Sequence, residues 1–446
     1  MQLSPDRYCV FSGLNDLGGW DMGPALVYQV REGSPVGDVL GEGIAMEKDS
    51  DWRPFGIPLA RCPQFTVAFG LQKGVKRPDG SAYPNENVFV LQTFINPQLC
   101  IDGEPMIPHA ARRYKNWPAD IDPRDLTDNL PRVFWRHFRL DDSGNDIEFM
   151  DEWEIIHQDG FADGYGGGFC SLGESCVTMH GAFSPPLPAD EKGDTWYSLL
   201  SFAKRDPEEP SRKNPRSMAP VVYTWDRSAG RYRWTATGPE TCHEGWQLTD
   251  PGLVRMEDCW IVIARGHQRS RDAEAVAARK GFDSFWFRTD DLMRGLGKPV
   301  QSGREGNVPR MGYRCADGVL RVVFPDERWI PLAPGEPEPF IAYDSKKGKY
   351  CRDPLTLYDV DPVTFEYTNR RVIFDAPTQA PALATPAADL TNMTPVSDGN
   401  QWLIFRVKDR DATRQGTPPD SLRTMGAHCV ELSYPAGTSC APDRVC

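Results

Sequence analysis

Helical periodicity is what this chain of 446 residues has least of. Apolar residues recur at every second position or in short runs, and only Ser270 to Lys280 (S-R-D-A-E-A-V-A-A-R-K) makes an Ala-rich helical window, with Thr289 to Leu296 adding a turn or two. Helical bundles and strand–helix alternations are thereby excluded. No apolar run approaches the roughly 20 residues that cross a bilayer, so no membrane role is expected. No strand, Gly-x-Gly-x-x-Gly and helix follow one another, which counts against a nicotinamide or flavin enzyme. A Gly-x-Ser-x-Gly elbow is absent as well, which counts against a Ser-His-Asp hydrolase. The glycine-rich run Gly160 to Gly168 has no helix or Gly-Lys-Ser/Thr after it, so it is no phosphate cradle. No Cys-x-x-Cys seeds a zinc site, and neither metal nor cofactor is expected. Positive charge is short too: the net charge is −13 and the isoelectric point near 5.1, the wrong sign for a nucleic-acid partner. The basic strings Ala111 to Lys115 and Arg265 to Arg271 read as solvated loops.

What the chain does have is turns and aromatic rings. Its 40 Gly and 40 Pro would suit disorder, but 13 Trp, 14 Tyr and 21 Phe spread along the whole length argue for packed β-structure. The stretch from Cys242 to His267 organises the rest. It reads as a polar loop, a strand at Leu253 to Met256, a two-residue turn at Asp258-Cys259 and a second strand from Trp260 to Ala264. The loop carries His243, Glu244 and Asp250; the strand exit carries Arg265 and His267. The scheme recurs from Pro309 to Phe324, around an Asp-Gly turn, and from Met393 to Arg406. A second element, aromatic-Asp-x-x-x-Gly-x-Tyr, occurs at Trp225 to Tyr232 and again at Tyr343 to Tyr350, with the look of an outer hairpin.

Repeated four-stranded units with polar connections are what a β-propeller requires. The loop-hairpin unit followed by Arg, over roughly residues 220 to 435, resembles the blade pattern of sialidase-like and related glycosidase propellers. The loop G-L-N-D-L-G-G-W-D-M-G-P, holding Asn15, Asp16, Trp20 and Asp21 ahead of a strand at Ala25 to Val30, resembles the early Asp loop of invertase-like and arabinanase-like propellers. There a carboxylate at the mouth of the first inner strand does the chemistry; a simple Asn/Asp turn explains the string equally. The expected fold is all-β, a single β-propeller domain over residues 1 to 446 with five to seven irregular four-stranded blades and long loop insertions. Its last strand, His428 to Tyr434, is expected to pair with Tyr8 to Phe11 and close the ring.

Further strands are expected at Gln64 to Leu71, Val88 to Asn96, Arg132 to Leu140, Ile147 to Ile156, Cys176 to Phe183, Trp196 to Ala203 and Ser284 to Arg288. Pro97 to Pro131 is a long irregular insertion, and Thr378 to Asp389 an extended Ala/Pro connection. His137 and His157 read as strand-surface residues. Cys170 with Cys176, and Cys440 with Cys446, are spaced for small disulfide loops. Twelve cysteines favour a secreted or periplasmic protein, although M-Q-L-S-P-D-R-Y-C-V-F has no signal-peptide core; the cytoplasm, with free thiols, is the alternative.

The resemblance implies a carbohydrate substrate and a glycoside hydrolase of the sialidase-like or arabinanase-like sort. Such chemistry needs two carboxyl groups. Glu244 and Asp250 are the first candidates, with Asp21 or Asp16 opposing them, although Asp250-Pro251-Gly252 also reads as a turn. The alternative is a polysaccharide lyase acting on a uronate, for which His180, His243 and His267 would supply the base and Arg265 and Arg310 the charge neutralisation. Arg265 and Arg406 end equivalent strands of two repeats, placed to grip a carboxylate or to pair ions between blades. Trp20 and Trp246 are candidates for stacking on sugar rings. A non-catalytic glycan- or protein-binding propeller is the reading outside enzymes.

Overall fold

The computed structural model describes residues 1–14, 25–47, 49–52, 56–57, 59–70, 81, 87–101, 104–106, 132–160, 176–180, 184–189, 193–204, 216–268, 282–303, 310–315, 317–331, 334, 349–379, 386–395, 401–409 and 426–432. The expected helix at Ser270 to Lys280, most of the Pro97 to Pro131 insertion, the Asp16–Asp21 loop, most of the second outer hairpin and the Cys170, Cys440 and Cys446 thiols lie outside these residues; the described start of that insertion is strand instead of irregular loop, to Ile101 and again at Glu104–Met106.

The described chain is strand, turn and strand. It forms five sheets whose neighbouring strands are antiparallel apart from one bridge. Two compact units divide it: Met1–Asn214 with Ala219–Glu240, and Pro215–Met218 with Thr241–Cys446.

The first unit holds three sheets. The first is β1 (Gln2–Ser4), β2 (Arg7–Leu14), β3 (Ala25–Glu32) and β4 (Val39–Glu47), ordered as in the chain. The second contains β5 (Asp49–Trp52), β6 (Leu59–Phe69), β7 (Phe89–Ile101), β8 (Glu104–Met106), β9 (Arg132–Leu140), β10 (Ile147–Phe149) and β11 (Glu154–Ile155). The third contains β12 (Cys176–His180), β13 (Leu187–Pro188), β14 (Thr195–Lys204), β15 (Ser217–Asp226) and β16 (Arg231–Thr237).

The period-two alternation of R-V-F-W-R-H-F-R-L makes β9 the middle of this unit. Val133 and Trp135 join a core with Phe69, Trp196, Tyr223, Tyr232 and Trp234. Phe138 and Leu140, on the opposite face, join another with Leu3, Cys9, Leu26, Val30 and Phe89. A strand buried on both faces leaves no surface for His137, and this corrects its reading as a strand-surface residue. His137 is 1% exposed. Its Nδ1 lies 2.7 Å from Asp151 Oδ2, and its Nε2 accepts the Tyr232 backbone N–H at 3.0 Å. Both ring nitrogens are spent on scaffold. His157 is exposed, as expected.

The second unit holds two sheets. The fourth sheet is β17 (Trp246–Arg255), β18 (Trp260–Gln268), β19 (Phe282–Thr289) and β20 (Val300–Gln301), again in chain order. The fifth runs through β21 (Met311–Arg314), β22 (Leu320–Ile330), β23 (Lys349–Val360), β24 (Tyr367–Phe374), β25 (Pro386–Pro395), β26 (Gln401–Asp409) and β27 (Gly426–Leu432), with β23 and β25 joined by a single parallel bridge. Val254, Ile261, Ile263 and Trp286 of the fourth sheet pack against Leu320, Val322, Phe324 and Tyr358 of the fifth. The approach is close at Gly312, where an added Cβ would lie 2.3 Å from Ile263 Cδ1. Among the described residues helix is confined to short pieces, a 3₁₀ turn at Leu292–Arg294 and one turn at Ala376–Gln379. No described helix is long and apolar enough to cross a membrane.

The four-stranded, up-and-down sheets following one another along the chain are the blades of the β-propeller class, with all three expected inner hairpins present. A shared device closes three of their last turns. Asp141, Asp226 and Asp361 each use one carboxylate oxygen to accept two backbone N–H groups, from Asn145 and Asp146, Ser228 and Ala229, and Val363 and Thr364. The Asp226 turn is the expected outer hairpin, with Trp225 opposite Tyr232 and Asp226 opposite Arg231.

One boundary differs from expectation. The β17–β18 turn centres on Glu257-Asp258, one residue earlier than Asp258-Cys259, because Met256 donates its N–H to the Cys259 carbonyl at 2.9 Å. Tyr8 to Phe11 pair along β3, and β27 pairs with β26.

Candidate functional site

One end of the fourth sheet, where β17 and β19 begin and β18 finishes, gathers most of the described candidate residues. Alternation along W-I-V-I-A-R-G-H sends Ile261, Ile263, Arg265 and His267 to one face and Trp260, Val262, Ala264 and Gly266 to the other. The face bearing Ile261 and Ile263 is apolar core. Two residues further on it becomes cationic.

Asp250 is not in a loop ahead of the strand, nor in a free turn; both readings are corrected. β17 starts at Trp246, and its register shifts between Thr249, opposite Arg265, and Gly252, opposite Ile263. One extra residue is accommodated there, a β-bulge, and Pro251 is tolerated because a bulge needs no ladder donor. Asp250 has φ +48°, a left-handed conformation that Asp and Asn adopt more readily than most residues. The bulge turns its carboxylate to Arg265, whose Nη2 stands 2.6 Å from Asp250 Oδ2. Arg265 Nε donates to Thr249 Oγ1 at 3.3 Å. With Asp250 buried and Arg265 partly so, the pair is an internal ion pair, and Asp250 is a holder of Arg265 instead of an open acid.

Glu244 is placed differently. Trp246 donates its backbone N–H to the His243 carbonyl at 3.0 Å, and Gly245 has φ +75°, the value a type II turn needs at its third residue. Glu244 is therefore the outward corner of a tight turn, and its side chain is exposed. His243 and Trp246, on either side, are half-buried and meet the Phe285 ring at 4.9 Å each.

His267 lies opposite Gln247 in β17 and Phe282 in β19. Burial, then the positive charges of Arg265 and Arg216, hold its pKa well below the ordinary histidine value. At neutral pH it is an uncharged imidazole.

Arg310 is corrected from a substrate-binding residue to an internal brace. It is 3% exposed. Its Nη1 donates to Ser302 Oγ at 2.9 Å and to the Tyr367 hydroxyl at 2.8 Å, and its guanidinium lies 4.6 Å over the Phe324 ring. Ser302 in turn bonds Asp283, whose carboxylate also accepts Gln301 Nε2 at 2.8 Å and the Ser284 N–H at 2.6 Å. This polar chain ties β19 and β20 to β24.

His180 lies on β12 opposite Ser201, in the first unit. Arg406 lies on β26 between Asp389 and Ala427, just before a register shift in β25, so its backbone setting parallels that of Arg265 beside the β17 bulge. The side chains of both are outside the described residues, as are Asp16, Trp20 and Asp21. Thr249, Arg216, Asp283 and Phe285 were not singled out from sequence. Alternation in F-D-S-F-W-F-R does place Asp283 on the face of Phe285 and Phe287, an interior acid that a pattern reading flags. Arg216 carried no such signal.

The expected disulfides fall outside the described residues. Cys9, Cys242 and Cys259 are free thiols, and burial pushes Cys9 up to about 12.

No family model matches the chain, and no curated protein matches it. Among solved structures it is similar to the GH93 α-L-arabinofuranosidase of Fusarium graminearum in complex with arabinobiose, at 8% identity over 96% of this chain and 93% of that one, with a TM-score of 0.41. It is similar to the Hadza microbial sialidase Hz136 at 10% identity over 87% and 60%, TM-score 0.42. The Trypanosoma rangeli sialidase in complex with sialic acid matches at 8% over 88% and 49%, TM-score 0.41. The chain thus spans 60% and 49% of the two sialidase chains. These likenesses concern the course of the backbone and say nothing of what this chain acts on.

Proposed function

We propose that the protein is a carbohydrate-active enzyme, a glycoside hydrolase, working at the β17–β18–β19 end of the fourth sheet. The observation that carries this reading is the turn His243-Glu244-Gly245-Trp246, which holds an exposed carboxyl group between two half-buried rings. A sugar presents a C–H face to an aromatic ring and a glycosidic oxygen to an acid, and this turn offers both within four residues. Glu244 is one of the two carboxyl groups that this chemistry needs, the acid/base; Trp246 and His243 receive the sugar, and Arg265, fixed by Asp250, supplies positive charge.

A second reading rests on His267. An imidazole kept uncharged beside Arg265 is the pairing a uronate lyase needs, a base with a neighbouring cation.

Both are tested by incubating the protein with plant, algal, fungal and bacterial polysaccharides and weighing the products. Saturated products carrying added water, lost on Glu244→Gln by about 10²–10⁴ in kcat/KM, support the hydrolase. Unsaturated products absorbing in the near ultraviolet, lost instead on His267→Gln, replace it with the lyase. No product from any substrate overturns both and leaves a non-catalytic binding module.

A further inference from the structure

Gly266 does not need to be glycine for its backbone. It sits in a regular ladder, opposite Leu248 and Asp283, and is not among the glycines with positive φ. What it lacks room for is a side chain. A Cβ there would stand 2.2 Å from Phe285 Cε2, 2.7 Å from Phe285 Cδ2 and 3.0 Å from Trp246 Cε3. Both rings therefore lie down on bare backbone. Phe285 is 1% exposed and meets Trp246 edge to face at 73° and His243 at 61°. The half-buried rings of Trp246 and His243 thus stand on a buried one, and that one lies flat only because residue 266 has no side chain.

We propose that Gly266 and Phe285 are positioning residues, forming a shelf that sets the stance of Trp246 and His243 and, through their shared turn, of Glu244. The shelf stands on geometry alone; its consequence for catalysis rests on the carbohydrate reading. A methyl group at 266 must lift Phe285, since the closest approach is to ring atoms of a buried side chain that His243 and Trp246 also pack against. The lifted ring moves the two aromatic residues a substrate would touch and leaves the Asp250–Arg265 pair, on the opposite face, in place.

The test is hydroxyl-radical labelling of the full chain, read peptide by peptide by mass spectrometry. Gly266→Ala is expected to change labelling at Trp246 and His243 about threefold, with Trp225 and Trp234 unchanged. Phe285→Leu, which removes the shelf itself, is expected to change labelling at Trp246 and His243 by a similar factor, and adding Gly266→Ala to it is expected to change them by less than about twofold more, because the methyl group then meets no ring. Native labelling at both positions in folded Gly266→Ala overturns the proposal. If that variant does not fold, the double variant is expected to do so, and its failure overturns the proposal equally. On any polysaccharide the native protein cleaves, Gly266→Ala is expected to lower kcat/KM about tenfold or more, raising KM where Trp246 and His243 receive the sugar and lowering kcat where Glu244 is displaced. A native protein that cleaves none sinks the carbohydrate reading, while the labelling still decides the shelf.

Discussion

Three of the Asp–Arg pairs among the described residues differ chiefly in how much water reaches them. In the fifth sheet, Arg321 has no exposed surface. Its Nη1 and Nη2 donate to the two oxygens of Asp317 at 2.8 Å each, and its Nε donates to Asp359 Oδ1 at 2.9 Å. Asp359 is shared with Arg371 and Asn369. At the end of the fourth sheet, Arg265 makes one close contact to Asp250 and is 18% exposed. In the first unit, Arg233 and Asp226 meet at 2.8 Å with side chains 44% and 28% exposed. The chemistry is one pair of charges each time. The first closes the Asp317-Gly318 turn and is unreachable, the second presents a guanidinium at a strand end, and the third decorates a turn whose shape its own backbone bonds already set. Of the three, the Arg265 pair is partly buried and has His267 beside it, the combination that the proposed function uses.

The largest expected effect separates the first pair from the others. Arg321→Met leaves Asp317 buried with its cation gone, and Asp359 with Arg371 and Asn369 alone, and should cost about 3–5 kcal/mol in denaturant unfolding. A cost below about 1 kcal/mol would mean that the two acids find water, and the contrast with Arg265 would vanish. Asp250→Asn should cost less, about 2 kcal/mol, because Arg265 reaches solvent. Asp250→Ala should cost about 1 kcal/mol more than the Asn change, since Ala resists a left-handed backbone; equal costs would show that the bulge relaxes.

His267 sharpens the picture from the pH side. Its folded pKa is lowered and the unfolded chain titrates near about 6.5, so protons bind the unfolded state first as the pH falls. Stability should be full above about pH 7 and decline through and below about pH 6.5, and His267→Gln should flatten that decline. An unaltered profile would remove the neutral imidazole. Asp226 is the smallest titration: the Ser228 hydroxyl, then backbone N–H groups, hold it at about 2. Its contribution is complete above about pH 4 and is lost as the pH falls through about 2. Carboxyl NMR of Asp226 against Asp226→Asn checks the midpoint. Last, Glu244→Gln should shift stability by less than about 0.5 kcal/mol; a larger loss would show that the turn depends on that carboxylate and weaken its role as a free acid.

The strands were legible because alternation survives in any sheet. R-V-F-W-R-H-F-R-L is β9 from Arg132 to Leu140, residue for residue. Alternation says only that two faces exist, and not that both are covered, which is why His137 reads as surface and is core. Turn chemistry was legible where one residue dictates it, as at Asp317-Gly318, with Gly318 at φ +82°. It failed at Asp250-Pro251-Gly252, where turn-forming residues serve a bulge within a strand.

The sequence by itself determined an all-β chain, its repeated hairpins and the concentration of titratable groups around Cys242 to His267, because these depend on residues close together in the chain. Tertiary structure alone decided which of those groups are open. Asp250 and Glu244 are six residues apart and look alike on paper. A one-residue register shift turns one onto an arginine, and a type II turn holds the other outward, since a carboxylate's role depends on the partners and water that the fold leaves around it.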